Sequence, residues 1–473
     1  MIIAVSALSL FVFRIYDSQR GPPLEAWHTY VPVELKRSEL VHATWTDHLA
    51  REQKVFTDVR RELSGKLTPE SKTSSNRYFE GSPVNPSNFV HDWNRSFVFH
   101  PSRPVRGVAV LFHGLTDSPY SLRHIARHYS DAGFVALAIR LPGHGTVPAG
   151  LTKATWEDWA QAANLAVQEG RRLVGDDAPL HLIGYSNGGA LALNYALDAL
   201  ENNSITRPDK IILFSPMIGV TRFARFAGVA GLPALFPPFA KAAWLSIVPE
   251  FNPFKYNSFP VNAARQSYLL TRMLQDKIRR LSVNGRIRDL APIQTFQSVA
   301  DFTVSSLAIV DMLYNHLPIN GSELVIFDIN RSTRFGPLVS AGAAATFDRV
   351  IAPGARDFTN RLVTNASATS LEMVERVTSS GSSTPSERRL GLAYPREVYS
   401  LSHIALPFPL SDSLYGMHPD PEENFGVNLG AIATRGERGV LVIGMDTLMR
   451  MSSNPFFSYM LERIDAFSEL HSQ

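Results

Sequence analysis

Residues 179–200 read PLHLIGYSNGGALALNYALDAL. An apolar run at 180–183 enters Gly184-Tyr185-Ser186-Asn187-Gly188-Gly189, and an Ala/Leu-rich segment of helical character follows without a break. The order is strand, tight turn, helix. The turn fits G-x-S-x-G, a pattern in which a serine occupies a strained corner and flanking glycines let strand and helix approach without a steric clash. Ser186 is therefore expected at the carboxyl end of a sheet strand. An alcohol is a weak nucleophile at neutral pH, so the reading requires a histidine base, a carboxylate to orient it and donors for an oxyanion. Five residues of this kind also match surface turns by chance; the strand before them and the helix after them carry the reading.

Upstream, residues 108–112 (VAVLF) lie between Gly107 and His113-Gly114, as expected of a strand buried on both faces. A helical stretch over 120–132, a buried strand over 134–139, Leu141-Pro142-Gly143-His144-Gly145 and a helix over about 155–174 lead back to the serine. Downstream, strands over 211–214, 293–299 and 324–328 and a helix over 304–317 continue the alternation. Strands alternating with helices of ten or more residues define the α/β class, with a mostly parallel sheet, right-handed crossovers and helices on both faces.

Two stretches interrupt this pattern. Residues 216–290 hold Phe236-Pro237-Pro238-Phe239, Trp244, Phe251, Phe254, Tyr256 and Phe259 among prolines. This composition suits a lid over an apolar site, with Trp244, Phe251 and Phe254 expected to contact substrate; a second small core is the alternative. Residues 330–397, rich in Ser, Thr, Ala and Gly, are expected to be an insertion of loops with one or two short helices. The main domain is expected over 93–473, preceded at 17–92 by a helical arm and a linker. The arm's helix is placed between Pro32 and Ser64, where Trp45, Leu49, Val55 and Val59 recur at helical spacing.

Across 473 residues, 46 basic and 43 acidic side chains leave +3, too little to indicate a nucleic-acid partner. The chain has no cysteine, which excludes disulfides, thiolate metal sites and a cysteine nucleophile. No H-E-x-x-H or comparable cluster occurs, so neither a metal nor another cofactor is expected. Residues 1–13, MIIAVSALSLFVF, are uninterrupted apolar sequence ending at Arg14. The run is short of the roughly 20 residues a bilayer span needs, and no basic residue precedes it. Residues 1–16 are expected to be an uncleaved membrane anchor, with a secretory signal or a mis-assigned start as alternatives; the side of the membrane is left open, and so is the oligomeric state.

Reacting groups in a sheet of this kind belong at the carboxyl ends of its strands. After 108–112 come His113-Gly114-Leu115-Thr116-Asp117, where the glycine turns the Leu115 N–H inward, towards the N–H of Asn187. Two such amides, one at a helix N-terminus, suit an oxyanion hole. For the carboxylate, Asp301 lies just past the strand at 293–298; a helix N-cap is its other reading, and Asp328 is the alternative acid. Four histidines follow Asp301. His316 sits in a helix, His418 among Pro and Asp, and His471 at the C-terminus, whereas His403 follows a β-prone run and best suits a base at a strand end.

His113-Gly114-Leu115-Thr116-Asp117-Ser118-Pro119, Leu141-Pro142-Gly143-His144-Gly145, Trp156-Glu157-Asp158-Trp159, the turn at Ser186 and the acid at Asp301 resemble the α/β-hydrolase superfamily. The nearest groups are the monoacylglycerol lipase, bacterial carboxylesterase and serine aminopeptidase-like families. The resemblance covers roughly residues 96–328. It implies Ser186, Asp301 and His403 as nucleophile, acid and base, and Leu115 and Asn187 as the oxyanion hole. The long stretch between Asn330 and His403 departs from compact members, and neither the arm before Trp93 nor the segment after Pro409 has a counterpart in those families. The expected activity is hydrolysis of a carboxylic ester, acyl or lipid-like, through an acyl-enzyme at a membrane. A serine aminopeptidase-like enzyme, with Glu250 holding a substrate amine, and a catalytically inactive membrane-tethered interaction domain are the rivals.

Overall fold

The structure, a computed structural model, describes residues 16, 21–219, 237–301, 303–334, 336–351, 354–430 and 449–470. The expected anchor at 1–16 lies, but for Tyr16, outside the described residues; among those described, no helix is long and apolar enough to cross a membrane.

In chain order the strands are β1 (Phe97–Phe99), β2 (Gly107–Phe112), β3 (Phe134–Ile139), β4 (Leu180–Tyr185), β5 (Lys210–Phe214), β6 (Trp244–Ser246) and β7 (Phe259–Pro260). They continue with β8 (Ile293–Ser298), β9 (Glu323–Phe327), β10 (Thr359–Asn365), β11 (Glu372–Thr378), β12 (Ser386–Ala393), β13 (Val398–Leu401) and β14 (Met449–Met451). The longer helices are α1 (Trp45–Ser64), α2 (Arg123–Asp131), α3 (Trp156–Val174), α4 (Asn187–Glu201), α5 (Val261–Val283), α6 (Ser306–Met312), α7 (Ala341–Ile351) and α8 (Phe457–Ser468).

One sheet runs β1-β3-β2-β4-β5-β8-β9-β10-β11-β12. From β3 to β10 the neighbours are parallel; β1 and the β10-β11-β12 meander pair antiparallel. The central strands are buried on both faces because their side chains alternate between two apolar clusters. Val108, Val110 and Phe112 of β2 enter one, with Leu165 of α3, Leu193 and Leu197 of α4 and Leu270 and Leu274 of α5. Ala109 and Leu111 enter the other, with Ile125 and Tyr129 of α2 and Tyr459, Met460 and Ile464 of α8. Each fully buried large side chain contributes about 1.5–3 kcal/mol relative to exposure, so α8, at the far end of the chain, is part of the core.

Three expectations are corrected. The stretch 330–397 is not chiefly loops: α7 is followed by a three-stranded meander that widens the sheet. Its strands escape a search for apolar runs because paired charges line them, Arg361 with Glu323 and Glu375, Arg388 with Glu375, and Arg376 with Glu387. The stretch 216–290 is not lid throughout. From Val261 it forms the 23-residue α5, whose Ala263, Leu270, Leu274, Ile278 and Leu281 are core residues. In α1 the buried stripe is His48, Glu52, Val55, Val59 and Leu63, while Leu49 is 38% exposed.

Polar residues enter that stripe because the arm is pinned to the body by charge. Arg140, at the end of β3 and 1% exposed, donates to both carboxylate oxygens of Glu34 (2.7 and 2.9 Å) and to Glu52 (3.2 Å). Glu34 also accepts the Gly143 N–H at 3.0 Å, so the arm braces the Leu141–Gly145 loop.

Candidate active site

Ser186 occupies the corner between β4 and α4 with φ 53° and ψ −114°, a left-handed conformation that costs a non-glycine residue of order 1–3 kcal/mol. The surroundings hold it there. Its N–H donates to the Phe214 carbonyl (2.9 Å), and its own carbonyl accepts from Gly189 (3.0 Å) and Met217 (2.9 Å). A Cβ on Gly184 would lie 2.5 Å from the Gly188 carbonyl oxygen, and one on Gly188 1.9 Å from that of Phe112, so both positions require glycine for close approach.

Asp301 follows β8 and His403 follows β13. The His403 Nε2 lies 3.1 Å from the Ser186 Oγ, and its Nδ1 lies 2.7 Å from the Asp301 Oδ2. All three side chains are buried, and the Tyr185 ring stacks on the imidazole at 5.7 Å. The other Asp301 oxygen accepts the N–H groups of Thr303 (2.9 Å) and Val304 (3.1 Å). Burial alone would raise the Asp301 carboxyl; the facing His403, the Val304 N–H and the Arg450 charge outweigh it and hold the group below its ordinary value. The cap of α6 is Ser305, which accepts from Ala308. A hydroxyl, an imidazole and a carboxylate in one hydrogen-bonded line can move a proton off the hydroxyl while the carboxylate fixes the ring's tautomer.

Leu115 follows β2 beside Thr116, whose φ is 63°, and Asn187 is the first residue of α4, where a helical N–H has no carbonyl one turn earlier to bond. His113 explains its own glycine-preceding position: its Nδ1 lies 2.9 Å from the Gly114 carbonyl and its Nε2 3.1 Å from the Leu141 N, tying the ends of β2 and β3 together. Burial holds this ring well below its ordinary value, which keeps it neutral.

The remaining candidates fall elsewhere. Asp328 forms a two-pronged ion pair with Arg331 (2.8 and 2.9 Å) and accepts from Thr364. His316 meets Ser282, His418 lies in an exposed loop, and His471 is outside the described residues. Phe254 stacks on Tyr120 at 4.1 Å in a cluster with Phe408, Leu414, Tyr415 and Phe425; Phe251 packs against the same cluster, as does Ile404 beside His403. Trp244 does not join them. It is buried edge-on to His28 of the arm, 4.9 Å away, because β6 and β7 fold back onto the N-terminal segment. Glu250 is 1% exposed and its carboxylate is taken by the N–H groups of Asn257 and Ser258, so it is not presented to a substrate amine.

Two ionisable groups beside the line receive no role from the sequence. Asp117, whose carboxylate accepts the Ser118 N–H, is raised to about 6 by burial against the pull of Lys255. Arg450, 2% exposed, reaches the backbone behind Asp301 and His403. The turn after Gly114 was a signal for the first; for the second, a lone arginine far along the chain, the sequence offers none.

Residues 109–362 match the sequence model of the alpha/beta hydrolase family, and the chain belongs to that family. A thermostable monoacylglycerol lipase from Bacillus sp. (strain H-257) is 34% identical over 88 residues, which are 18% of this chain and 34% of that protein. The chain thus aligns with about a third of the length of this curated relative. Among solved structures, a soluble variant of monoglyceride lipase from Saccharomyces cerevisiae is 16% identical, covering 49% of this chain and 82% of that one with a TM-score of 0.38. Est1E from Butyrivibrio proteoclasticus with bound ferulic acid is 17% identical, covering 50% and 85% with a TM-score of 0.36.

Proposed function

We propose that this alpha/beta hydrolase is a serine esterase that cleaves acyl or lipid-like carboxylic esters through an acyl-enzyme. The observation that carries the reading is the line from Ser186 through His403 to Asp301, at 3.1 and 2.7 Å. His403 takes the Ser186 proton as the oxygen bonds the ester carbon, and the N–H groups of Leu115 and Asn187 receive the charge that develops on the carbonyl oxygen. His403 then gives the proton to the departing alcohol. Water, deprotonated by the same ring, attacks the acyl-serine and releases the acid. The lipase homologue and the aromatic cluster beside His403 favour an acyl chain over a polar substrate. The apolar run at 1–13 is proposed to hold the enzyme at a bilayer.

Ser186→Ala is expected to lower kcat on short-chain p-nitrophenyl esters by at least a thousandfold and to abolish covalent labelling by a fluorophosphonate, with an unchanged melting temperature. Full activity in this variant refutes the proposal. In the same preparation the full chain should sediment with membranes and a chain lacking residues 1–20 should not.

A further inference from the structure

The histidine of the proposed site hangs from a strand that is not part of the large sheet. β13 ends at Leu401, two residues before His403, and its partner in the described structure is β14, in a separate two-stranded parallel ribbon. The pairing sets Ser400 opposite Arg450 and Leu401 opposite Met451, and the Ser402 N–H donates to the Met451 carbonyl at 3.1 Å. An imidazole that must meet two partners at hydrogen-bond distance tolerates little play, since a displacement of about 1 Å at a reacting group lowers rates by around a hundredfold. The chain beyond His403 therefore returns to hold the element that carries it.

Arg450 is the side chain through which this happens. Its Nη2 donates to the Leu401 carbonyl and reaches the Ala300 carbonyl at 3.5 Å, the residue immediately before Asp301. The Leu401 carbonyl also accepts from Ser298 Oγ of β8 at 3.0 Å. One buried guanidinium thus joins the backbones that present the acid and the base, with its carbon 5.3 Å from the centre of the Tyr399 ring. A buried charge is expensive to desolvate and persists only where neighbours compensate it. Here the neighbours are two carbonyls, an aromatic face and the carboxylate of Asp301, on which the arginine's charge acts.

We propose that Arg450 is a positioning residue for the Asp301–His403 pair, fixing by hydrogen bonds the separation of their backbones. This rests on the esterase reading above. The other ionisable groups that face the pair are Tyr185 on β4, Asp117 after β2, and Tyr394 and Tyr399 beside the arginine.

The test compares Arg450→Met and Arg450→Lys with the wild-type full chain, counting active sites by fluorophosphonate titration so that rates refer to folded enzyme. Arg450→Met is expected to lose ten- to a hundredfold in kcat per titrated site with KM changed less than threefold. The acid limb of its kcat/KM profile should move to higher pH by at least half a unit, because the positive charge that favours the Asp301 carboxylate has gone. Arg450→Lys, which keeps the charge and loses the Nη2 donor to the two carbonyls, should keep the wild-type limb and recover part of kcat. A purely structural role lowers the titrated fraction and leaves per-site kcat and the acid limb as in wild type; that result overturns the proposal. Should the methionine variant not fold, the lysine variant decides: wild-type kcat per site refutes positioning, and a tenfold loss at an unmoved limb supports it. Failure of the esterase reading itself is distinguishable, since the wild-type chain would then show no turnover of p-nitrophenyl esters.

Discussion

Asp301 divides its two carboxylate oxygens between two tasks. One accepts the Thr303 and Val304 amides, as an Asp in a turn does, and the other faces His403 at 2.7 Å. The helix cap is Ser305 instead, and the turn made by the first oxygen is what aims the second at His403. Asp301→Asn keeps an acceptor for the turn but can present an amide N–H to the imidazole, favouring the wrong tautomer. The expected outcome is a loss on the order of 10⁴-fold in kcat on p-nitrophenyl esters, with a melting temperature within a few degrees of wild type by differential scanning calorimetry. A loss under tenfold would remove Asp301 from the mechanism.

Among the elements, the segment at 404–430 follows His403 directly, and a buried carboxylate ties it to the helix α2. Asp412, fully buried, accepts from Arg123 (2.6 Å), from the Tyr120 hydroxyl (2.9 Å) and from the Leu414 and Tyr415 amides, with His124 Nε2 at 2.9 Å. Burial works against its ionisation, yet Arg123 and His124 hold it well below the usual carboxylate range. Removing Asp412 leaves Arg123 only the less buried Glu423, at 2.8 Å, and strips the Leu414 and Tyr415 amides of their acceptor; breaking a buried pair typically costs about 3–5 kcal/mol. Asp412→Ala should show a loss of that size in urea unfolding at neutral pH, since Tyr120, Phe254, Phe408 and Tyr415 pack around the same point. A change below about 1 kcal/mol would mean that the aromatic contacts suffice without it.

Over the whole molecule, the arm and the C-terminal helix pack into different apolar clusters around one sheet, and the titratable groups buried there set the response to acid. Burial lowers His28 to about 4 and His48, His144 and His181 to about 3, from an ordinary value of 6.5. Folded-state values depressed in this way supply stability that is present above about 6.5 and lost as pH falls towards 3. At pH 5 each such histidine has given up on the order of 2 kcal/mol. Asp117, raised to about 6, has the opposite sign and regains on the order of 1 kcal/mol over the same interval. Glu52 and Glu250, also raised by burial, act in the same direction as Asp117 at lower pH. Four histidines outweigh these carboxyls, so the melting temperature is expected to fall between pH 7.5 and pH 5. A melting temperature that holds or rises on acidification would show that these rings are not buried neutral.

The α/β class and the serine turn were legible in the sequence because both rest on short-range patterns. Buried strands such as 108–112 read as unbroken apolar runs, and the glycines around Ser186 record a backbone approach between adjacent elements. Chain order and strand ends narrowed the acid to Asp301 or Asp328 and the base to His403 among four. Only the tertiary structure shows which of these meet: an ion pair with Arg331 engages Asp328, while β8 and β13 bring Asp301 and His403 into line with Ser186. The meander after α7, the arm's clasp on Arg140 and the return of β14 to β13 were likewise decided there. Each depends on charged or polar side chains meeting partners far along the chain, and such meetings leave no period in the local sequence.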